Sequence, residues 1–273
     1  MRITQAGLFN NVTQSMNQKQ VELAKTQEQI SSGKRVLTPS DDPTTAATVM
    51  NINTKIALNE RYGRNLDRAD NLLSLQDNTL TSITEGLDRI KTLILRAAND
   101  TYNASDRAVV ADEISEMAKY LIITGNARST DGTYIFSGFS QAQPPFQTDS
   151  KGHIIYTGTS DSQHIEIAEQ TQMKIGLPGS DIFGKQVLAK DDQGNIRTND
   201  LFTSLADTIT ALKNNDADTL RTRLEDLNVF HSNVVIEHAK VGARMNRIDR
   251  QQEWNENLDG DYKIMKSQLE DLD

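Results

Sequence analysis

Cysteine is absent from all 273 residues, which removes disulfide staples and thiol chemistry and leaves the compartment open. Aromatic residues make up only 5% and hydrophobic residues 36%. That is thin for a globular core and suits long helices packed along a narrow seam. Basic clusters are missing too: no run exceeds Lys34-Arg35, and the formal net charge is -9. Wrapping nucleic acid needs a concentrated basic face, so nucleic acid is not expected as a partner. No apolar run approaches the ~18 residues of a membrane span, so no membrane partner is expected either. The opening MRITQAGLFNNVTQSMNQKQ has no apolar core of a cleavable signal peptide. If such a chain is extracellular, it leaves by a route that reads none. Length alone suggests about two domains.

What is present is helical periodicity. Residues 3–32 read as a helix with Phe9, Val12, Met16, Leu23 and Ile30 on a narrow stripe interrupted by Lys19 and Thr26. Alone, such a helix is marginal in water and needs a partner. Gly33 stands where a left-handed C-cap belongs. Pro39 and Pro43 each disfavour helix in the preceding residue. Asp42 followed by Pro43 is an N-cap and first-turn pair, and Asp41 adds charge at the positive end of the helix dipole. So LTPSDDPTT is a connector between a helix stop and a helix start.

From 43 to about 99 no proline intervenes, and a continuous helix would be about 80 Å long at ~1.5 Å per residue. Leu66, Ala69, Leu73, Leu80, Ile83, Leu87, Ile90, Ile94 and Ala97 form a heptad seam with Gln76 as its polar interruption. After the turn NDTYNAS, Ser105 is placed to cap a helix running to about Thr130, with Val109, Ile114, Met117, Leu121 and Ile122 on its packed side. DGTYIFSGF switches to period two and predicts a hairpin. Residues 139–198 carry turn signals between short strands such as HIIYTG and HIEIAEQ. Helix resumes at Asn199 or Asp200. Leu220, Leu224, Leu227, Val234, Val241, Met245 and Ile248 restore a seam. Its phase slips near Gln251, and Leu258, Tyr262, Met265, Leu269 and Leu272 continue it. The fold class is therefore mainly α: a long antiparallel helical rod with a small β-rich insertion.

No constellation calls for catalysis or a cofactor. Gly33-Lys34 lacks the spacing of a phosphate loop. Asp41 and Asp42 read as capping groups rather than a metal or acid–base pair. His231 and His238 are seven apart, about 10 Å along a helix, too far to share one zinc ion. They read as seam histidines bonded to neighbours. His153 and His164 sit in the β insertion without metal-ligand spacing. Asp191 and Asp192 in KDDQGN fit a hairpin turn better than a calcium loop. Trp254 reads as a helix-contact residue. No metal, no cofactor and no enzymatic activity are expected.

ISSGKRVLTPSDDPTTAA resembles the junction segment of the bacterial flagellin family. LDRIKTLILRAANDT, residues 87–101, is similar to the long core helix of that family. DGTYIFSGF with PPF at 144–146, and the opening MRIT, resemble its hook-associated branch. The resemblance implies an inner tube domain beginning with residues 1–32, a spoke at 33–42, a core domain of 43–138 with 199–273, and an outer domain at 139–198. It implies a structural adaptor in the flagellum, joining hook to filament by head-to-tail self-assembly. The implied partners are further copies of the chain, a hook-associated protein on the hook side, flagellin on the filament side and an export chaperone.

The assembly seam would be built on Leu66, Leu73, Leu80, Leu87, Ile94, Leu224, Val234 and Met245. The family ends in a helix that pairs with the N-terminal one, whereas this sequence stops at Asp273 within the core pattern. A truncated C-terminus is therefore expected, with a mobile N-terminal helix. The resemblance also implies that an innate-immune receptor reads Arg89, Leu93 and Glu113; the alternative is a solvated Arg and Glu beside a packed Leu. Filament flagellin and a secreted coiled-coil adhesin stand as alternative functions.

Overall fold

A computed structural model of the chain describes residues 5–99, 101–140, 142–150, 152–190 and 196–272. In order, α1 (Gln5–Ser32), α2 (Pro43–Ala97) and α3 (Ala104–Gly125) are followed by β1 (Phe146–Thr148), β2 (Ile154–Tyr156), β3 (His164–Ala168) and β4 (Thr171–Lys174). Then come a short α4 (Gly179–Phe183), β5 (Gln186–Lys190), β6 (Ile196–Asn199), α5 (Leu201–Lys213) and α6 (Ala217–Glu270). The fold is mainly α, with small antiparallel pairs β1–β2, β3–β4 and β5–β6. The contacts divide the chain into two units, residues 64–251 and residues 1–63 with 252–273. The division after Gln251 falls where the heptad phase slips.

In the unit of residues 64–251 the α2 seam is fully buried, from Leu66 through Leu73, Leu80, Leu87 and Ile94 to Ala97. From α6 it meets Leu220, Leu227, Val234, Val241 and Ile248, with Leu224 and Met245 packed at its margin. Two histidines give the direction. His238 Nε2 lies 2.8 Å from Asp77 Oδ1, and His231 Nε2 lies 3.2 Å from Asp88 Oδ1. Advancing along α2 means retreating along α6, so the pair is antiparallel. Gln76, the polar interruption, is buried and donates from Nε2 to the Ile175 carbonyl at 3.0 Å. A break in the apolar pattern thus anchors the segment after β4 to α2.

On α3 the structure corrects the expectation from sequence. The N-cap is Asn103, not Ser105; its side chain accepts from the N–H groups of Ser105 and Asp106, and Asp106 returns the bond in a capping box. The helix ends at Gly125 rather than Thr130. Its buried face is Arg107, Val110, Ala111, Ile114 and Leu121. Val109, expected inside, is exposed, because the three-four phase is set one residue later.

Arg107 is buried. Its guanidinium donates to the carbonyls of Ala97 at 2.9 Å and Asn99 at 3.2 Å, and to Asn215 Oδ1 at 2.5 Å. It therefore satisfies the carbonyl end of α2, where a cation is favoured, and ties it to the turn between α5 and α6. Arg107→Ala is expected to cost about 1.5–3 kcal/mol, since the buried Ala97 carbonyl and two part-buried acceptors lose a charged donor. A urea unfolding midpoint unchanged from the parent would contradict this.

The segment expected as a hairpin, DGTYIFSGF, is a series of turns. Asp131 Oδ1 accepts from the Thr133 N–H and hydroxyl at 3.1 and 2.6 Å, Gly132 and Gly138 take φ of +83 and +65, and only an isolated Arg128–Tyr134 bridge forms. A side-chain-closed turn replaced the ladder that period-two alternation suggested. The strands HIIYTG and HIEIAEQ fall at β2 and β3. The short α4 was not anticipated, and Asp191 and Asp192 of KDDQGN lie outside the described residues. The β-rich segment shares the helical core. Phe146, Ile167, Met173 and Phe183 belong to the same buried cluster as the α2 seam.

Within residues 1–63 and 252–273, burial is sparser. Ile52, Tyr62, Asn59 and Asn255 are the buried side chains among the described residues. Asn59 Nδ2 donates to the Asn255 carbonyl at 2.7 Å, and Lys55 lies over the Tyr262 ring at 5.7 Å. Met265 and Leu272, expected in the seam, are exposed, and Trp254 is 64% exposed rather than packed at a helix contact. Leu258, Tyr262 and Leu269 keep a half-buried line there, and Leu272 lies past the end of α6.

Candidate functional site

The feature that sets this chain apart from a self-sufficient helical bundle is α1. Leu8, Val12, Met16 and Leu23 share one helix face with Asn11, Ser15, Lys19 and Gln20. The spacing of three, four and seven produces the stripe, and Leu8 takes the place expected for Phe9. All four apolar members are exposed, as are Phe9 at 72% and Ile30 at 71%. Among the described residues nothing covers this face.

The far end of α1 is held firmly. Gly33 takes φ +69, a left-handed conformation with little cost only for glycine. The connector is then stitched to the end of α6: the Leu272 N–H donates to the Gly33 carbonyl at 2.9 Å and the Arg35 N–H to the Glu270 carbonyl at 2.7 Å. Lys34 Nζ pairs with Glu270 at 2.5 Å, and an Arg35 Nη donates to the Leu269 carbonyl at 2.9 Å. Gln29 Nε2 donates to the Arg35 carbonyl at 2.6 Å. The sequence signalled Gly33 but not Lys34, Arg35 or Glu270. Their partners are over 230 residues apart, and no local pattern reports such a pair.

Asp41 and Asp42 do different work. Asp42 Oδ1 accepts the Thr45 N–H at 3.0 Å and Oδ2 the Thr45 hydroxyl at 2.6 Å, so it caps α2 ahead of Pro43. Asp41 instead closes the connector. It accepts from Lys25 Nζ at 2.6 Å and from the Thr38 and Leu37 N–H groups at 3.0 and 3.3 Å. The Lys25 hydrogen bond, followed by that of Thr38, holds its carboxyl down at about 2. Asp42 is lowered as well, by the Thr45 hydroxyl and N–H. A depressed folded value means that the contribution is complete above the ordinary aspartate value of about 4 and vanishes as pH falls towards 2. The connector should therefore loosen in that window, with the Asp41 carboxyl carbon titrating near 2 by NMR. A midpoint near 4 would show that the Lys25 contact is absent in solution.

The residues expected at an assembly seam, Leu66, Leu73, Leu80, Leu87, Ile94, Leu224, Val234 and Met245, all pack within the chain itself. That seam joins α2 to α6 of one molecule, and none of its fully buried members is available to a neighbour. Arg89 and Glu113 form an exposed ion pair at 2.5 Å. Leu93 is 1% exposed, so a receptor reading this place would meet Arg89 and Glu113 without Leu93. Among the described residues no helix is long and apolar enough to cross a membrane, and no acidic or histidine cluster has metal-binding geometry.

Comparison with known proteins follows the same lines. Flagellar hook-associated protein 3 of Escherichia coli (strain K12) is 29% identical over 262 residues, 91% of this chain and 81% of that protein. Its namesake in Salmonella typhimurium is 29% identical over 215 residues, 78% of this chain and 67% of that protein. Flagellar hook associated protein-3 from Legionella pneumophila shares the fold, with a TM-score of 0.73 at 14% identity over 81% of this chain and 98% of that one. Residues 3–141 match the family described as the bacterial flagellin N-terminal helical region. With that region matched across half of its length, the chain belongs to the bacterial flagellin family.

Proposed function

We propose that this chain is a hook-associated structural component of the flagellum, acting outside the cell as the adaptor between hook and filament. The observation that carries the reading is the uncovered apolar face of α1, beside a connector fixed to the end of α6. A face of this kind gains its stability from neighbours in an assembly. Similarity over 91% and 78% of this chain to two proteins called flagellar hook-associated protein 3 supports the branch. The relatives are structural parts of the flagellum, and the chain is not an enzyme.

In this reading residues 1–32 line an inner tube and 33–42 form the spoke. Residues 43–138 with 199–273 make the core domain, and 139–198 the outward-facing part. The chain assembles head to tail, meets a second hook-associated protein on the hook side and flagellin on the filament side, and is exported with a chaperone rather than by a cleaved signal peptide. The decisive experiment is deletion of the gene, followed by electron microscopy of the cells and a blot for flagellin in the medium. Bare hooks with shed flagellin monomer are expected. Hooks that still carry filaments would overturn the reading.

A further inference from the structure

We propose that the outward face of α3 and the outward face of α6 are the two halves of one contact between copies of this chain, with the helices antiparallel. The identity of the occupant, a second copy, rests on the self-assembly reading above. The surfaces themselves come from the structure.

With Val110, Ala111, Ile114 and Leu121 turned inward, α3 presents Val109, Asp112, Glu116, Tyr120 and Ile123 on its other side, all exposed, with Ile123 at 71%. With Val234, Val241 and Ile248 turned inward, α6 presents Val235, Ile236, Ala239, Ala243, Arg247 and Arg250, all exposed. Both runs follow helical spacing, so each is a continuous stripe.

Three properties match. The α3 stripe carries large side chains, Tyr120 and Ile123, whereas the middle of the α6 stripe is Ala239 and Ala243, with Gly242 at its edge. Large ridges over a shallow groove permit close helix packing. The charges are opposite: Asp112 and Glu116 on α3, Arg247 and Arg250 on α6. Glu116 has Lys119 at 2.6 Å as an exposed partner. Among the described residues no ion pair engages Asp112, Arg247 or Arg250. Finally, the spacing agrees. Asp112 to Ile123 and Ala239 to Arg250 each span about 16 Å along a helix.

Setting Asp112 against Arg250 places Glu116 beside Arg247 and Ile123 over Ala239. Only the antiparallel orientation brings acid to base and large to small together. Opposed charges fix orientation and register more than affinity. With one such contact per pair, each copy keeps a free half, so the contact is heterologous and propagates from copy to copy.

The absence of cysteine makes the test clean. Full-length chains carrying Ile123→Cys and Ala239→Cys separately are mixed at high concentration and oxidised. Mixed dimers should exceed the statistical yield several-fold, whereas Ile123→Cys with Arg250→Cys should give only background. Reversing Asp112→Arg and Glu116→Arg should lower the mixed yield roughly tenfold, the scale of a lost charge pair. Arg247→Glu with Arg250→Glu in the other chain should restore it. Thermal melts confirm that each variant is folded. A statistical yield, no cross-link or no rescue overturns the proposal. Cross-links that form although deletion leaves filaments in place would sink the junction reading alone. Bare hooks with statistical cross-linking would sink this contact alone.

Discussion

Val12→Glu combined with Met16→Glu is expected to abolish filament attachment while leaving the isolated chain as stable as its parent. Both side chains are exposed on α1, so replacing them removes no packing within the molecule, and surface changes of this kind stay within about 0.5 kcal/mol. In an assembly each apolar side chain on that face would be buried, contributing roughly 1.5–3 kcal/mol before ordering entropy. A carboxylate there loses that gain and adds the cost of burying a charge without a partner. The pair of measurements is a thermal melt of the purified protein and electron microscopy of a deletion strain carrying the variant. Normal filaments on those cells would mean that the α1 face is not an assembly surface. The same exposure predicts fast amide exchange over the first five turns of α1. Protection should rise only near Lys25 and Gln29, which bond to the connector. Slow exchange across α1 in the monomer would contradict this.

Phe183→Ala carries the largest expected effect on stability, about 3–5 kcal/mol. Phe183 is fully buried at the end of α4, edge-on to Phe146 with ring centroids 5.0 Å apart and tilted against Phe202 at 5.3 Å. Phe146 also meets Tyr156 at 5.4 Å. This cluster welds β1, β2, α4 and α5 together, so deleting the Phe183 ring leaves a void bordered by the Phe146 and Phe202 rings. Close packing already holds the space tightly: a Cβ at Gly179 would lie 2.6 Å from the Phe146 ring, and one at Gly125 would lie 3.0 Å from it. The void therefore cannot be closed by a small shift. Tyr156, whose hydroxyl is pushed up to about 12 by burial, hydrogen-bonds at the Phe136 and Thr159 carbonyls, 3.0 and 2.9 Å away. Those bonds should open early in the variant. A loss below about 1 kcal/mol in urea unfolding would show that the β-rich segment is not cooperative with the helices.

The relative size of these two effects marks where the chain keeps its stability. The α2–α6 seam and the aromatic cluster are satisfied inside one molecule, whereas α1 is not. Helix-forming segments alone do not reveal that difference. The stripes of α1 and α2 look alike in spacing, but α2 finds α3, α6 and the β-rich segment to cover it.

By itself, the sequence determined the long helices, because a three-four repeat without proline leaves no other regular structure that buries its apolar residues. It determined the stop at Gly33 and the start at Pro43, because left-handed glycine and an Asp-Pro cap act within a few residues. It also placed the β-rich segment and the shift in heptad phase near Gln251. Only tertiary structure decided the rest. No local pattern marks Arg107, whose burial is set by Ala97, Asn99 and Asn215 converging on it. Val109 and Trp254 read as packed until the phase of the neighbouring buried face turns them outward. Lys34 and Glu270 read as unrelated until the connector meets the end of α6. Local signals are set by backbone geometry over one or two turns, and these positions are set by partners that only folding brings together.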